Sequence, residues 1–152
     1  MKKKPKKILV IHGPNLNLLG RRERAIYNSK NIRQLNKELQ RLARQRAYET
    51  LFYQSNVEGR LITKIQNAAD EVSGILINPA AYTHTSVAIR DALLATRLPA
   101  VEVHLTNIYK REPFRRHSLI SDVVEGQVIG FGVSSYHRGL HALIDTLEGC
   151  LP

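Results

Sequence analysis

The chain has 152 residues, 43% of them hydrophobic, a formal net charge of +10 and one cysteine. That length suffices for one domain that buries roughly two-thirds of the surface its unfolded form exposes, so no covalent staple is needed. Cys150 alone excludes an internal disulfide, no run approaches the ~20 apolar residues of a bilayer span, and the apolar run Ile8 to Ile11 behind Lys2, Lys3, Lys4, Lys6 and Lys7 is too short for a secretory h-region; the expected location is cytoplasmic.

Residues 1–7 read as a basic N-terminal tail and residues 8–152 as a single α/β domain. Five short, largely β-branched apolar runs read as strands: Ile8 to His12, Thr50 to Gln54, Ile75 to Asn78, Ala100 to His104 and Val128 to Phe131. Helical spacing intervenes at Ile32, Leu35, Leu39, Leu42 and Ala43, and again at Leu61, Ile62, Ile65, Ala68, Ala69 and Val72. Val87 to Ala95 reads as a third helix, and Leu140, Leu143, Ile144 and Leu147 mark the last. No repeat or composition break marks a second domain. Strands alternating with helices in this number predict a flavodoxin-like, doubly wound, five-stranded parallel sheet of order 2-1-3-4-5. Ligands of such sheets bind beyond the carboxyl ends of the strands.

Three strand ends carry polar segments. They run from Gly13 to Gly20, from Asn78 to Ser86 and from His104 to Asn107. Asn, Pro, Thr and Ser are ordinary turn and cap residues, but three such segments on one edge point to a site. On the fourth strand, side chains two apart share a face, so Glu102 and His104 point the same way and a carboxylate can orient an imidazole. Burying a glutamate in Ala-Val-Glu-Val-His costs several kcal/mol unless it is paired, so the strand requires a cationic or donor partner for Glu102. The polar loop from Arg21 to Tyr27 follows the first strand end and reads as a lid. A phenol of pKa ~10 serves as a base near neutrality only beside cations, which makes Arg22 the candidate partner of Tyr27.

The segments Ile-His-Gly-Pro-Asn-Leu-Asn-Leu-Leu-Gly from Ile11, Arg22-Glu23 with Ile26-Tyr27, Asn-Pro-Ala-Ala-Tyr-Thr-His-Thr-Ser from Asn78, Val-Glu-Val-His from Val101 and Phe-Arg-Arg-His-Ser from Phe114 resemble, in order and spacing, the type II 3-dehydroquinases. The resemblance covers nearly the whole chain after the lysine-rich start. It implies that residues 8–152 form a catalytic domain, a hydro-lyase that removes water from 3-dehydroquinate to give 3-dehydroshikimate without a cofactor. In that family a lid tyrosine, here Tyr27, takes the proton alpha to the ketone, with Arg22 stabilising its phenolate. Asn15 matches the asparagine that holds a water against the enolate oxygen. His104 matches the general acid, oriented and supported in its charged form by Glu102. Asn78 and the backbone amides of Leu105 and Thr106 match the carboxylate site, and His84 and Arg115 match groups that hold hydroxyls. Asp91 matches an aspartate that reaches a neighbouring subunit's site, which implies a homo-oligomer, a dodecamer built from trimers. Arg111 stands near a second arginine position of the family but, beside Lys110, reads as a surface charge and is left out of the catalytic set.

His12 departs from the family pattern, where asparagine is usual, as do Arg21, Arg24-Ala25 and Asn28; Val133 to Arg138 departs from the usual start of the last helix. The +10 charge supports a second reading, a polyanion or nucleic-acid binder on the same fold. Its distribution disfavours nucleic acid: five of the 23 Lys and Arg lie in the first seven residues and nine between Arg21 and Arg46, without interleaved aromatics. A nucleotide module lacks both a GKS or GKT loop and a GxGxxG fingerprint. His137 and His141 at i,i+4 spacing lack a third ligand, so no metal is assigned and both read as exposed helix residues.

Overall fold

A computed structural model describes residues 5–21 and 30–151. Its strands are β1 (Lys7–His12), β2 (Glu49–Gln54), β3 (Gly74–Asn78), β4 (Ala100–His104) and β5 (Gly126–Ile129). All neighbouring pairs are parallel, in the order β2-β1-β3-β4-β5. The helices are α1 (Ile32–Gln45), α2 (Glu58–Asn67), α3 (Val87–Thr96) and α4 (Ser134–Leu147).

Local sequence accounts for the helix starts. Asn31 opens α1 with a capping box, its side chain accepting from the Gln34 N–H at 2.9 Å while Gln34 accepts from the Asn31 N–H at 3.0 Å. Ser86 opens α3 by accepting from the Ile89 N–H at 2.9 Å.

Two cores cover the two faces of the sheet. Ile8, Val10, Leu76, Val101 and Val103 pack against Leu35, Leu39, Tyr136, Leu140 and Leu143 of α1 and α4. Leu9, Ile11, Ile75, Ile77 and Ala100 pack against Leu61, Ile65, Ile89 and Leu93 of α2 and α3. Side-chain alternation along a strand therefore assigns His12 and Asn78 to the α1/α4 face, and Glu102 and His104 to the α2/α3 face. The doubly wound topology and strand order match the expectation from alternating elements.

The first four strands and the third helix fall within one residue of the bounds read in the sequence, and β5 and α2 differ by more. β5 ends at Ile129, two residues before Phe131, because Gly130 turns the chain at φ 95° and leaves Phe131 61% exposed. Helix α2 stops at Asn67, and Val72 is buried from the following turn. Helix α4 begins at Ser134, within the segment read as its start, and buries Ser135, Tyr136 and Gly139 as well as its aliphatic stripe.

The strand ends of β1 and β3 touch directly. Gly13 donates its N–H to the Asn78 carbonyl at 2.8 Å, and a Cβ on Gly13 would stand 2.5 Å from the Pro79 carbonyl oxygen. Backbone on both sides leaves no side chain to yield. Gly13→Ala is expected to destabilise the protein by about 2 kcal/mol or more, the range of overpacked cores, in chemical denaturation; a wild-type midpoint would show that the loops separate freely.

Candidate active site

The loops after β1, β3 and β4 enclose a cavity of about 270 Å³ beyond the carboxyl ends of the strands. It lies where β1 and β3 send their chains to opposite faces, the switch point at which such sheets bind ligands. Its lining includes Asn15, Asn78, His84, His104, Arg111 and Arg115.

His104 ends β4 and places Nε2 2.7 Å from Oε1 of Glu102, two residues earlier on the same face. Glu102 has no exposed surface. Ser118 donates its hydroxyl to Oε1 at 3.0 Å and to Oε2 at 2.9 Å, Gln127 donates its amide to Oε2 at 2.6 Å, and Thr83 donates to Oε1. Burial pushes the Glu102 carboxyl up, but the hydrogen bond and charge of His104, with the bonds from Thr83 and Gln127, outweigh it, and its pKa lies below the usual carboxylate range. The carboxylate thus stays ionised inside the sheet and accepts the ring N–H of His104. The opposite ring nitrogen has no protein partner among the described residues.

The His84 ring lies nearly parallel to that of His104, 18° apart with centroids 6.5 Å from one another. Its Nδ1 lies 2.8 Å from the His117 carbonyl, which can only accept, so Nδ1 carries a hydrogen. Asn15 sits in the left-handed region at φ 69°, and the Asn56 side chain accepts its backbone N–H at 2.9 Å. Gln54 donates to the same Asn56 oxygen at 3.2 Å and Tyr82 to the Asn56 carbonyl at 2.7 Å, so β2 and the β3 loop brace the turn. Arg115 is held by Glu112 at 2.7 Å.

On the other face His12 is buried, with Nε2 2.7 Å from Asn36 Oδ1 of α1 and Nδ1 2.8 Å from the Tyr136 hydroxyl of α4. Burial lowers its pKa to about 4 against the supporting bond to Asn36.

Dehydroquinase class II is the family whose model matches residues 6–144. The chain belongs to that family. It is 59% identical over 141 residues to a 3-dehydroquinate dehydratase of Acaryochloris marina, covering 93% of this chain and 95% of that protein. It is 55% identical over 142 residues to a 3-dehydroquinate dehydratase of Carboxydothermus hydrogenoformans, covering 93% and 92%. Its fold superposes on the crystal structure of type II dehydroquinase from Butyrivibrio crossotus with a TM-score of 0.87 at 44% identity, over 91% of this chain and 97% of that one.

Of the residues to which the family resemblance gives roles, Asn15, Asn78, His84, His104, Leu105, Thr106 and Arg115 line the one cavity, and Glu102 lies directly behind His104. Asp91 stands apart, exposed on α3 outside the lining. Arg22 and Tyr27 lie outside the described residues. Arg111, read as a surface charge, lines the cavity. Thr83, Ser118 and Gln127 were not singled out because nothing local marks a hydroxyl or amide as the partner of a glutamate 16 to 25 residues away. His137 is half-buried rather than exposed, its Nε2 2.9 Å from Glu38 on α1. Among the described residues no three His, Cys, Asp or Glu side chains gather as a metal set, and no helix is long and apolar enough to cross a membrane.

His12 links stability to pH. Its folded pKa of about 4 is below the 6.5 of the unfolded chain, so between these values the unfolded state binds the proton first. The stability from burying a neutral ring is full above pH 6.5 and is lost as pH falls towards 4, by about 3 kcal/mol in all. Denaturation titrations across that window are expected to show this loss in the wild type and not in His12→Gln; equal slopes would refute the buried neutral ring.

Proposed function

We propose that this chain eliminates water from 3-dehydroquinate to give 3-dehydroshikimate, with its own side chains as acid and base. The observation that carries the reading is the Glu102–His104 pair at a small polar cavity, on the fold and in the family whose relatives bear that activity. At about 270 Å³ the cavity lies just below the usual span of ligand sites, roughly 300–1,000 Å³, and suits a single-ring metabolite.

In this reading Tyr27 removes the proton alpha to the ketone, and the electrons of the C–H bond pass into an enolate. A water held by Asn15 donates to the enolate oxygen, and Arg22 stabilises the phenolate before transfer. The enolate then expels the hydroxyl beta to the carbonyl. His104 gives that oxygen a proton as the C–O bond breaks, so water leaves and the new double bond conjugates with the ketone. Glu102 holds the imidazole with one nitrogen towards itself and the other free for the leaving group. Asn78 with the Leu105 and Thr106 amides takes the carboxylate, and His84 and Arg115 take the hydroxyls. The bond from His84 Nδ1 to the His117 carbonyl supports its share, since it leaves Nε2 to meet a hydroxyl.

The assembly belongs to the same proposal. Helix α3 presents Val87 and Leu94, 57% and 51% exposed, with Asp91 between them on one stripe, which suits contact with a second copy in a trimer and thence a dodecamer. Sedimentation at micromolar concentration is expected to give the dodecamer; a monomer would remove Asp91 from the site.

Purified protein should form the near-ultraviolet enone chromophore from 3-dehydroquinate at a rate a chelator does not change. Tyr27→Phe and His104→Ala should each lower kcat by roughly 100-fold or more, the scale of acid–base catalysis, with KM little altered. Wild-type kcat in either variant would remove that residue from its role.

A further inference from the structure

Asn15 acts in the proposed reaction through its side chain, which makes no capping hydrogen bond to the 3-10 turn Leu16–Leu18 that it opens. Its place in the cavity lining therefore depends on its backbone. That backbone lies in the left-handed region, φ 69° and ψ −7°, which a residue with a Cβ seldom adopts unless its surroundings hold it there. Leu18 ties one side by donating its N–H to the Asn15 carbonyl at 3.0 Å, a bond internal to the turn. The N–H of Asn15 is tied from outside the turn: Asn56 Oδ1, 41 residues away, accepts it at 2.9 Å.

Asn56 is exposed, yet its amide is held in one orientation. The Asn15 N–H can only donate, so the oxygen of the Asn56 amide must face it. Gln54 supports the same oxygen. Its Nε2 carries two hydrogens, and it donates both to Asn56 Oδ1 and to the Gly13 carbonyl, each at 3.2 Å. The Tyr82 hydroxyl donates to the Asn56 carbonyl at 2.7 Å. Ser55, between the two amides, donates its N–H to the His12 carbonyl at 3.2 Å and so extends the pairing of β1 with β2, which ends with His12 opposite Gln54. The carboxyl end of β2 thus clamps the loop after β1 at Gly13 and at Asn15. None of Gln54, Asn56 and Tyr82 lines the cavity.

We infer that Asn56, with Gln54 behind it, is a positioning residue that holds Asn15 in the left-handed conformation and so sets the Asn15 side chain at the cavity. The inference rests on the dehydratase reading for what Asn15 does there, which is to hold a water against the enolate oxygen. Charge reaches that oxygen only as the proton leaves, so a displaced Asn15 weakens the transition state more than the bound substrate. The effect therefore falls on kcat rather than KM. Without the Asn56 amide, the Asn15 N–H loses its acceptor and the turn is free to leave φ 69° for commoner conformations.

The test compares Asn56→Ala, Asn56→Asp and wild type, each shown folded by circular dichroism. Asn56→Ala is expected to lower kcat about tenfold, the upper scale of one lost hydrogen bond, with KM for 3-dehydroquinate within about twofold. The dissociation constant of quinate, which carries a hydroxyl in place of the ketone, should likewise stay within about twofold by calorimetry. Asn56→Asp is expected to restore kcat, since its carboxylate accepts from both Asn15 and Gln54. In an Asn15→Gly background, Asn56→Ala should change kcat by less than about twofold, because no side chain is left to place. Hydrogen exchange reads the clamp without turnover: the Asn15 amide should exchange about tenfold faster in Asn56→Ala than in wild type or Asn56→Asp. Should Asn56→Ala fail to fold, Tyr82→Phe takes its place, with an expected loss in kcat of about threefold. Wild-type kcat in Asn56→Ala, equal losses in the Ala and Asp variants, or full additivity with Asn15→Gly overturns the inference. So does a loss of quinate affinity as large as the loss of kcat, or an unchanged exchange rate. A protein whose Asn15 amide responds in this order but which does not turn over 3-dehydroquinate overturns the dehydratase reading instead.

Discussion

A carboxylate with no exposed surface sits in the middle of a parallel sheet, and the site is arranged around the need to satisfy it. An isolated charge at Glu102 would cost several kcal/mol, and one removed donor would leave much of that cost uncompensated. Its donors come from four places: Thr83 in the turn after β3, Ser118 in the connection towards β5, Gln127 on β5 and His104 on β4 itself. The turn after β3, the end of β4 and the connection towards β5 are thereby held to one another through Glu102. The orientation of His104 follows from the same requirement.

Strand parity divides the site into two halves. Glu102 and His104 share a face with α2 and α3, whereas His12 and Asn78 share the other with α1 and α4. Neither half alone makes a cavity. They meet only beyond the strand ends, where the chains leaving β1 and β3 diverge and where Gly13 allows the two loops to touch. The Glu102 half thus rests on an ionised carboxylate and the His12 half on a neutral ring. Each keeps its protonation state through its own packing.

The sequence departures gain meaning unevenly. His12, read in the sequence as a departure from the family pattern, joins Tyr136 and Asn36 in a buried hydrogen-bonded chain, and Tyr136 lies in the segment read as an unusual start of the last helix. The surplus of cations has a simpler setting: Arg33, Lys37, Arg41 and Arg44 all lie on the exposed side of α1. Arg46 instead bridges Asp145 and Glu148, joining α1 to the end of α4 at 2.8 and 2.6 Å.

The amino-acid order alone determined the sheet, its strand order and the pairing of Glu102 with His104, because period-two and helical hydrophobic patterns act over a few residues and a doubly wound sheet has few ways to join them. The strand-end segments from Gly13, Asn78 and His104 likewise announced the site by position. Tertiary structure decided the rest. That Glu102 is met by Thr83, Ser118 and Gln127, that Arg111 lines the cavity, and that His12 meets Tyr136 across 124 residues are consequences of tertiary packing. Hydrogen-bond partners distant in the chain leave no local periodicity, so no reading of residue spacing could supply them.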